Sequence, residues 1–240
     1  MDPKFTYSEK YIIKSSDVDI NQELKISSLM MMFQNLSVMG AEICDVGKDK
    51  TLDQGFIWVF SKLKFDIKRM PKYLEEVCLY TYPNKLMHFI YPRTFEIKDL
   101  DGNLLVKATS LWCLIDINER KIIMPSQLNL SVETNDLADP IEKIIPKEVT
   151  LKEERIVRYS DIDVNRHLNN VKYFDFISDL YDSKFFFNNR IKKVNIVFHK
   201  EVKENDVLKI YASNDNTYYQ FKLDNKTIFE CNVDYFSDAN

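Results

Sequence analysis

Residues 16–24 read SDVDINQEL and residues 160–168 read SDIDVNRHL. The offset from Ser16 to Ser160 is a constant 144 across both stretches, and the Ser, both Asp, the Asn and the Leu are identical. Val18 against Ile162 and Ile20 against Val164 are conservative changes, but Glu23 faces His167. The chain is therefore a tandem repeat, and the two copies differ at a residue type that matters to acid–base chemistry.

The segments downstream of the two copies match in kind. After the first comes ISSLMMMFQNLSVMGAEI, with Leu29, Met32, Phe33, Leu36 and Ile43 at helical spacing. Its other faces are also apolar, so a long and almost fully buried helix is expected. After the second comes NNVKYFDFISDLY, where Leu168, Val171, Phe174, Ile177 and Tyr181 line one face. Asn169 or Asn170 can accept from an orphan N–H of that helix's first turn. Alternating runs predict strands over residues 62–68, 78–83, 88–98 and 104–116. In the second half they centre on Val194, Ile196 and Phe198, on Leu208 and Ile210, on Phe221 and Leu223, and on Phe229, Cys231, Val233 and Tyr235. Asp101-Gly102-Asn103 and Asp224-Asn225 carry turn chemistry.

Each half reads as a short strand, a helix and several antiparallel strands, an α+β order that one helix wrapped by a curled sheet satisfies. Residues 125–150 hold Pro125, Pro140 and Pro146 among polar residues and read as a connection between halves. The expected organisation is a first unit over 1–127, a linker over 128–150 and a second unit over 151–240. Joined edge to edge, the units would form one continuous sheet with both helices on its concave side.

Composition narrows the function. Of 240 residues 45% are hydrophobic and 29% charged, and the net charge is −4, which gives no sign of a nucleic-acid binder. The N-terminal stretch MDPKFTYSEKYIIK has neither an apolar signal core nor an Arg- and Ser-rich leader, and no apolar run reaches membrane-spanning length. A cytoplasmic protein is expected. Cys44, Cys78, Cys113 and Cys231 form no CxxC pair and read as free thiols. With three widely spaced histidines no metal-ligand cluster is expected, and the four glycines exclude a Gly-rich phosphate loop, so no cofactor is implied.

The pattern resembles the acyl-acyl carrier protein thioesterases of bacteria and plants, in which two hotdog units lie in tandem. In the first half the resemblance rests on residues 57–77 (IWVFSKLKFDIKRMPKYLEEV) and 108–116 (ATSLWCLID). In the second it rests on residues 160–176 (SDIDVNRHLNNVKYFDF) and 198–208 (FHKEVKENDVL). It implies a double hotdog fold, catalytic roles for Asp163, Asn165, His167 and Glu201, and acyl carrier protein as the partner presenting the substrate. It also implies that the first helix lines the acyl pocket, with Met30, Met31, Met32 and Phe33 as candidates. Plant members carry a Cys beside the Glu; here Val202 stands there, so a Cys–His mechanism does not apply.

The residue types fit the chemistry independently. Thioester hydrolysis needs an activated water or nucleophile and donors for the developing oxyanion. Asn165, His167, Asn169 and Asn170 precede a helix whose first N–H groups and dipole would favour that charge. Glu201 can act as general base or attack directly, and the sequence leaves both open; His167 can orient or share the proton. Asp163 is expected to hold the loop and His167. Asp17 and Asp19 are expected to tie the first loop, and His88 and His199 to be structural or surface residues. Arg190, Lys192 and Lys193 are candidates for a basic rim. If the post-helix strands are aligned by alternation, Arg69-Met70-Pro71 stands where the second half has Lys200-Glu201-Val202, so the first half should lack catalysis. The rival readings are an acyl-CoA thioesterase of the same fold and a non-catalytic acyl-binding protein. Two such chains could also pair as a homodimer.

Overall fold

The computed structural model describes residues 7–127 and 133–237. The chain runs β1 (Tyr7–Ile12), α1 (Ile26–Ile43), α2 (Lys48–Leu52), β2 (Phe56–Ile67), β3 (Glu76–Pro83), β4 (Tyr91–Lys98) and β5 (Leu104–Asp116). It continues β6 (Val149–Ile156), α3 (Lys172–Ser178), α4 (Ser183–Asn188), β7 (Ile191–Phe198), β8 (Val207–Ser213), β9 (Tyr218–Leu223) and β10 (Lys226–Tyr235). The strands form one ten-stranded sheet in the order β1-β3-β4-β5-β2-β7-β10-β9-β8-β6. Every pairing is antiparallel. The halves meet where β2 pairs with β7, Leu63 opposite Ile196 and Phe65 opposite Val194, as the edge-to-edge double hotdog requires.

Alternation decides which face is core. Leu63, Phe65 and Ile67 of β2, Phe95 and Ile97 of β4, and Val194 and Ile196 of β7 are buried. Phe33 of α1 stacks on Phe65 and Phe95, with ring centroids 5.7 and 4.7 Å away. Tyr173 of α3 stacks on Phe229 at 4.4 Å. Each helix thus plugs the concave side of its own half, and burial of such aromatic side chains supplies much of the stabilisation.

The helices depart from expectation. In α1 the side chains of Met31, Val38, Met39 and Ile43 are exposed, because only one stripe of an 18-residue helix can face the sheet. The second helix is shorter than its spacing through Tyr181 suggested: α3 ends at Ser178, and a separate α4 lies beyond that stretch, starting after Asp182, whose carboxylate accepts from Phe185 N–H. Strand boundaries also move, β3 by two residues at its start, which is Glu76. β2 starts at Phe56, earlier than alternation suggested, and β4 starts at Tyr91 because His88 lies in the left-handed region at φ 56° within the preceding turn. At Asp224-Asn225 both residues have positive φ (49° and 62°), as a tight hairpin between twisted strands demands.

Residues 128–132 of the connection lie outside the described residues. From Asn135 onward it crosses the convex face of the sheet. Asn84 Nδ2 donates to the Asp136 carbonyl, Lys107 pairs with Asp139, and Glu142 meets Lys64, Lys193 and Asn195. The Ile145 backbone then exchanges hydrogen bonds with Asn232, and Lys147 pairs with Asp215 at 2.6 Å. The connection is thus a strap laid across the strands of both halves.

Candidate active site

The two repeat loops fold alike, bond for bond. In the second, Asp163 Oδ1 accepts from Asn165 N–H (2.8 Å) and His167 N–H (3.3 Å), while Asp163 N–H donates to the His167 carbonyl (2.8 Å). Arg166 takes the turn's left-handed position at φ 64°. In the first, Asp19 Oδ1 accepts from Asn21 N–H (2.8 Å) and Glu23 N–H (3.2 Å), and Gln22 has φ 59°. Carboxylates fit here because a short anionic side chain satisfies two loop N–H groups at once. Asp163 therefore orients His167 through its backbone, while Asp17 accepts from Tyr11 Oη and Lys14 N–H and ties the first loop.

Each loop is anchored to the segment after its half's first strand beyond the helices, β2 in the first half and β7 in the second. Leu24 N–H donates to the Pro71 carbonyl (2.9 Å) and Leu168 N–H to the Val202 carbonyl (2.8 Å). This equivalence puts Met70 at the place of Glu201. The first half therefore has Glu23 and Met70 where the second has His167 and Glu201. Its loop is turned to packing: Glu23 pairs with Arg190 (3.4 Å) and Asn21 Nδ2 donates to the Phe186 carbonyl (3.2 Å).

In the second half His167 Nε2 lies 3.4 Å from Glu201 Oε2, with both side chains part-exposed. Arg120 joins them from the first half, its Nη2 2.8 Å from the same carboxylate oxygen. Arg120 sits at φ 56° in the turn after β5. It is a site residue the sequence did not single out. It stands 81 positions from Glu201 in a charged turn of ordinary composition, so no spacing marks it.

The remaining expected site residues are distributed as follows. The Asn165 side chain is exposed at the tip of the loop. Asn169 Oδ1 accepts from Val171 N–H (3.2 Å) ahead of the helix, but neither Asn caps it: the N-cap is Val171, and no side chain caps the first turn of α3. Asn169 N–H is itself taken by the Asp161 carbonyl. Two backbone donors expected to be free are thus engaged, and α3 has only 7 residues. Met30, Met32 and Phe33 are buried, whereas Met31 is exposed. Met31 and Met32 line an open cleft of about 300 Å³ between α1, β1 and the start of α3. Arg190 is bound to Glu23 and Lys193 to Glu142, which removes both from a free basic rim. His199 faces Glu230 at 3.2 Å on the convex side. The four cysteines are free. Among the described residues no group of His, Cys, Asp or Glu could hold a metal, and no helix is long and apolar enough to cross a membrane.

A helix-plugged tandem sheet with a His–Glu pair in one half defines a class, and comparison with known proteins gives the family. Residues 4–126 match the acyl-ACP thioesterase N-terminal domain and residues 145–235 the C-terminal domain. The chain belongs to the acyl-ACP thioesterase family. The chloroplastic acyl-[acyl-carrier-protein] hydrolase FATB3 of Cuphea viscosissima is 20% identical, over 88% of this chain and 55% of its own length. Oleoyl-acyl carrier protein thioesterase 2 of Arabidopsis thaliana is 23% identical, over 87% and 63%. The chain thus spans little more than half the length of these relatives. Among solved structures, an acyl-ACP thioesterase from Bacteroides thetaiotaomicron superposes with a TM-score of 0.87 at 23% identity, covering 97% of this chain and 98% of that one. The 12:0-ACP thioesterase from Umbellularia californica superposes at 0.82 with 17% identity, covering 97% of each. These likenesses establish the fold.

Proposed function

We propose that this protein hydrolyses the thioester of fatty acyl-acyl carrier protein, releasing free fatty acid and the carrier-protein thiol. Family membership supports the reaction class. The observation that carries the site is the convergence of His167 and Glu201 in the half that kept both, while the repeat replaced them with Glu23 and Met70. Asp163, Asn165, His167 and Glu201 form the proposed catalytic set. On one route Glu201 takes the proton of an attacking water, the C–S bond breaks, and the thiolate leaves with that proton relayed through His167. On the other Glu201 adds to the carbonyl, the thiolate leaves with a proton from a protonated His167, and water then opens the acyl–glutamyl anhydride, one of its protons returning to His167. Asp163 keeps the imidazole in register, and Arg120 holds the carboxylate in place. Met30, Met31, Met32 and Phe33 with Asn169 and Asn170 are the proposed acyl- and carbonyl-contacting residues. The first half contributes the pocket and no chemistry, and the proposed setting is the cytoplasm.

The test is fatty acid release from a panel of acyl-acyl carrier proteins and matching acyl-CoAs by wild type and Glu201→Ala. Carrier-protein substrates cleaved in preference, with activity lost in the variant, is the expected result. Cleavage of acyl-CoA alone would move the substrate to the rival class, and no cleavage of either would refute hydrolysis. Single turnover in isotopically labelled water separates the two routes. Label in Glu201 identifies an acyl–glutamyl anhydride opened at the glutamyl carbon, and trapping with hydroxylamine reports an anhydride opened at the fatty acyl carbon; base-assisted water gives label only in the fatty acid and no hydroxamate.

A further inference from the structure

The first half buries a cation that hydrolysis at Glu201 does not use. Arg93 of β4 faces the concave side at 9% exposure. Its Nη1 donates to Thr81 Oγ1 at 3.2 Å, and its head lies by the Cys44 thiol at the end of α1. Burial pushes the guanidinium pKa down. Among the described residues no carboxylate pairs with it. An arginine keeps its charge in proteins and brings five N–H donors, so an interior site without a counter-charge is costly. The fold nevertheless makes room for it. Gly40 lies inside α1, where glycine weakens a helix, and a Cβ there would come within 2.4 Å of Arg93 Nη1. The negative end of the α1 dipole offsets only part of the charge.

A line of aromatic rings leads from the catalytic seam toward this cation. Tyr173 of α3 meets Phe198, three residues before Glu201, at 5.6 Å. Phe198 meets Phe60 at 5.2 Å, and Phe60 stacks on Trp112 at 4.8 Å. Trp112 Nε1 donates to Ser110 Oγ (2.7 Å), and Ser110 is the cross-strand partner of Arg93. Phe198, Phe60 and Trp112 are only half-buried although they face the concave side, as side chains bordering accessible space would be.

We infer that Arg93 ends the acyl site, and that the site accepts acyl chains carrying a hydrogen-bond-accepting oxygen (hydroxyl, oxo or carboxylate) at the end distal to the thioester. A methyl end would leave the guanidinium donors unmatched, whereas an oxygen satisfies them. The inference rests on the acyl-thioester reading for which end of the chain is distal.

The two tryptophans of the chain, Trp58 and Trp112, report on this region by fluorescence without turnover. Wild type, Arg93→Lys and Arg93→Met are titrated with a length series of straight-chain fatty acids and their ω-hydroxy and α,ω-dicarboxylic counterparts. At the best length the oxygenated ligands bind wild type about 10-fold or more tighter, the factor one hydrogen bond to a charged group supplies. Arg93→Lys keeps part of that preference, and Arg93→Met reverses it. Equal binding of methyl-ended and oxygenated ligands by wild type at every length overturns the inference. So does an unchanged preference in Arg93→Met, which would reduce Arg93 to a counter-charge for the end of α1. If Arg93→Met fails to fold, the wild-type and Arg93→Lys titrations still decide. Tight, selective binding without hydrolysis of any thioester would overturn the hydrolase reading and leave this one standing.

Discussion

His167, Glu201 and Arg120 converge in the second half, and the role proposed for each can be tested alone. His167→Ala and Glu201→Ala should each lower kcat by at least ~10²-fold, the usual worth of a positioned acid or base. Both side chains are part-exposed, so Tm should hold; near-normal turnover in both variants would sink the assignment. Arg120 bonds Glu201 and in this reading acts through it, so Arg120→Ala should cost about 10-fold in kcat, one charge-assisted hydrogen bond, with little change in KM. Arg120→Lys should recover part of that loss, and a change confined to KM would point to substrate contact instead. Val202 is no nucleophile, so its truncation spares the chemistry. It is also 1% exposed in the core, so truncation does not spare the fold. Val202→Ala should cost roughly 1–3 kcal/mol in urea denaturation while activity per folded molecule persists.

At the scale of elements, the twin loops separate structure from catalysis. Asp19 and Asp163 satisfy the same pair of N–H groups in their own half. Asp19→Ala and Asp163→Ala should therefore each lose about 1–3 kcal/mol of stability from unmatched donors. Only Asp163→Ala should lose activity as well, because only its loop presents a histidine. Comparable loss of activity in the two variants would mean that the first loop takes part in the chemistry. The repeat, the turn chemistry and most strands were legible in the sequence because side-chain alternation reports local burial. The early end of α3 and the separate α4 were not. The apolar spacing runs on through Tyr181, but Asp182 offers a competing cap to Phe185 N–H, and the chain takes it.

Across the whole molecule, the two halves are held by the β2–β7 seam and by the strap on its convex face. Glu142 is the strap's central contact, reaching Lys64, Lys193 and Asn195. The ammonium of Lys193 chiefly, with Asn195 and Lys64, holds its carboxyl below the usual range against the opposing effect of burial. A carboxyl with a depressed folded-state pKa contributes stability above its unfolded value of about 4.3 and loses it as pH falls through the lower folded value. Glu142 is 47% exposed, so solvent screening keeps the contribution small, about 1 kcal/mol. Glu142→Ala should unfold at lower urea than wild type at pH 7, and the two midpoints should converge on acidification. A gap that persists at low pH would show that the strap acts through packing rather than charge.

The sequence by itself determined that the chain is a tandem repeat, that each half is a helix against antiparallel strands, and that only the second copy carries a histidine beside a downstream glutamate. Those features are written in local periodicity and in short spacings, which the backbone reads within one loop or strand. Only the tertiary structure brought Arg120 to Glu201, laid the strap across both halves and buried Arg93 beneath Gly40. These are contacts between residues far apart in sequence. They depend on how a curled sheet brings its strands and turns together, and no local pattern in the chain encodes that closure.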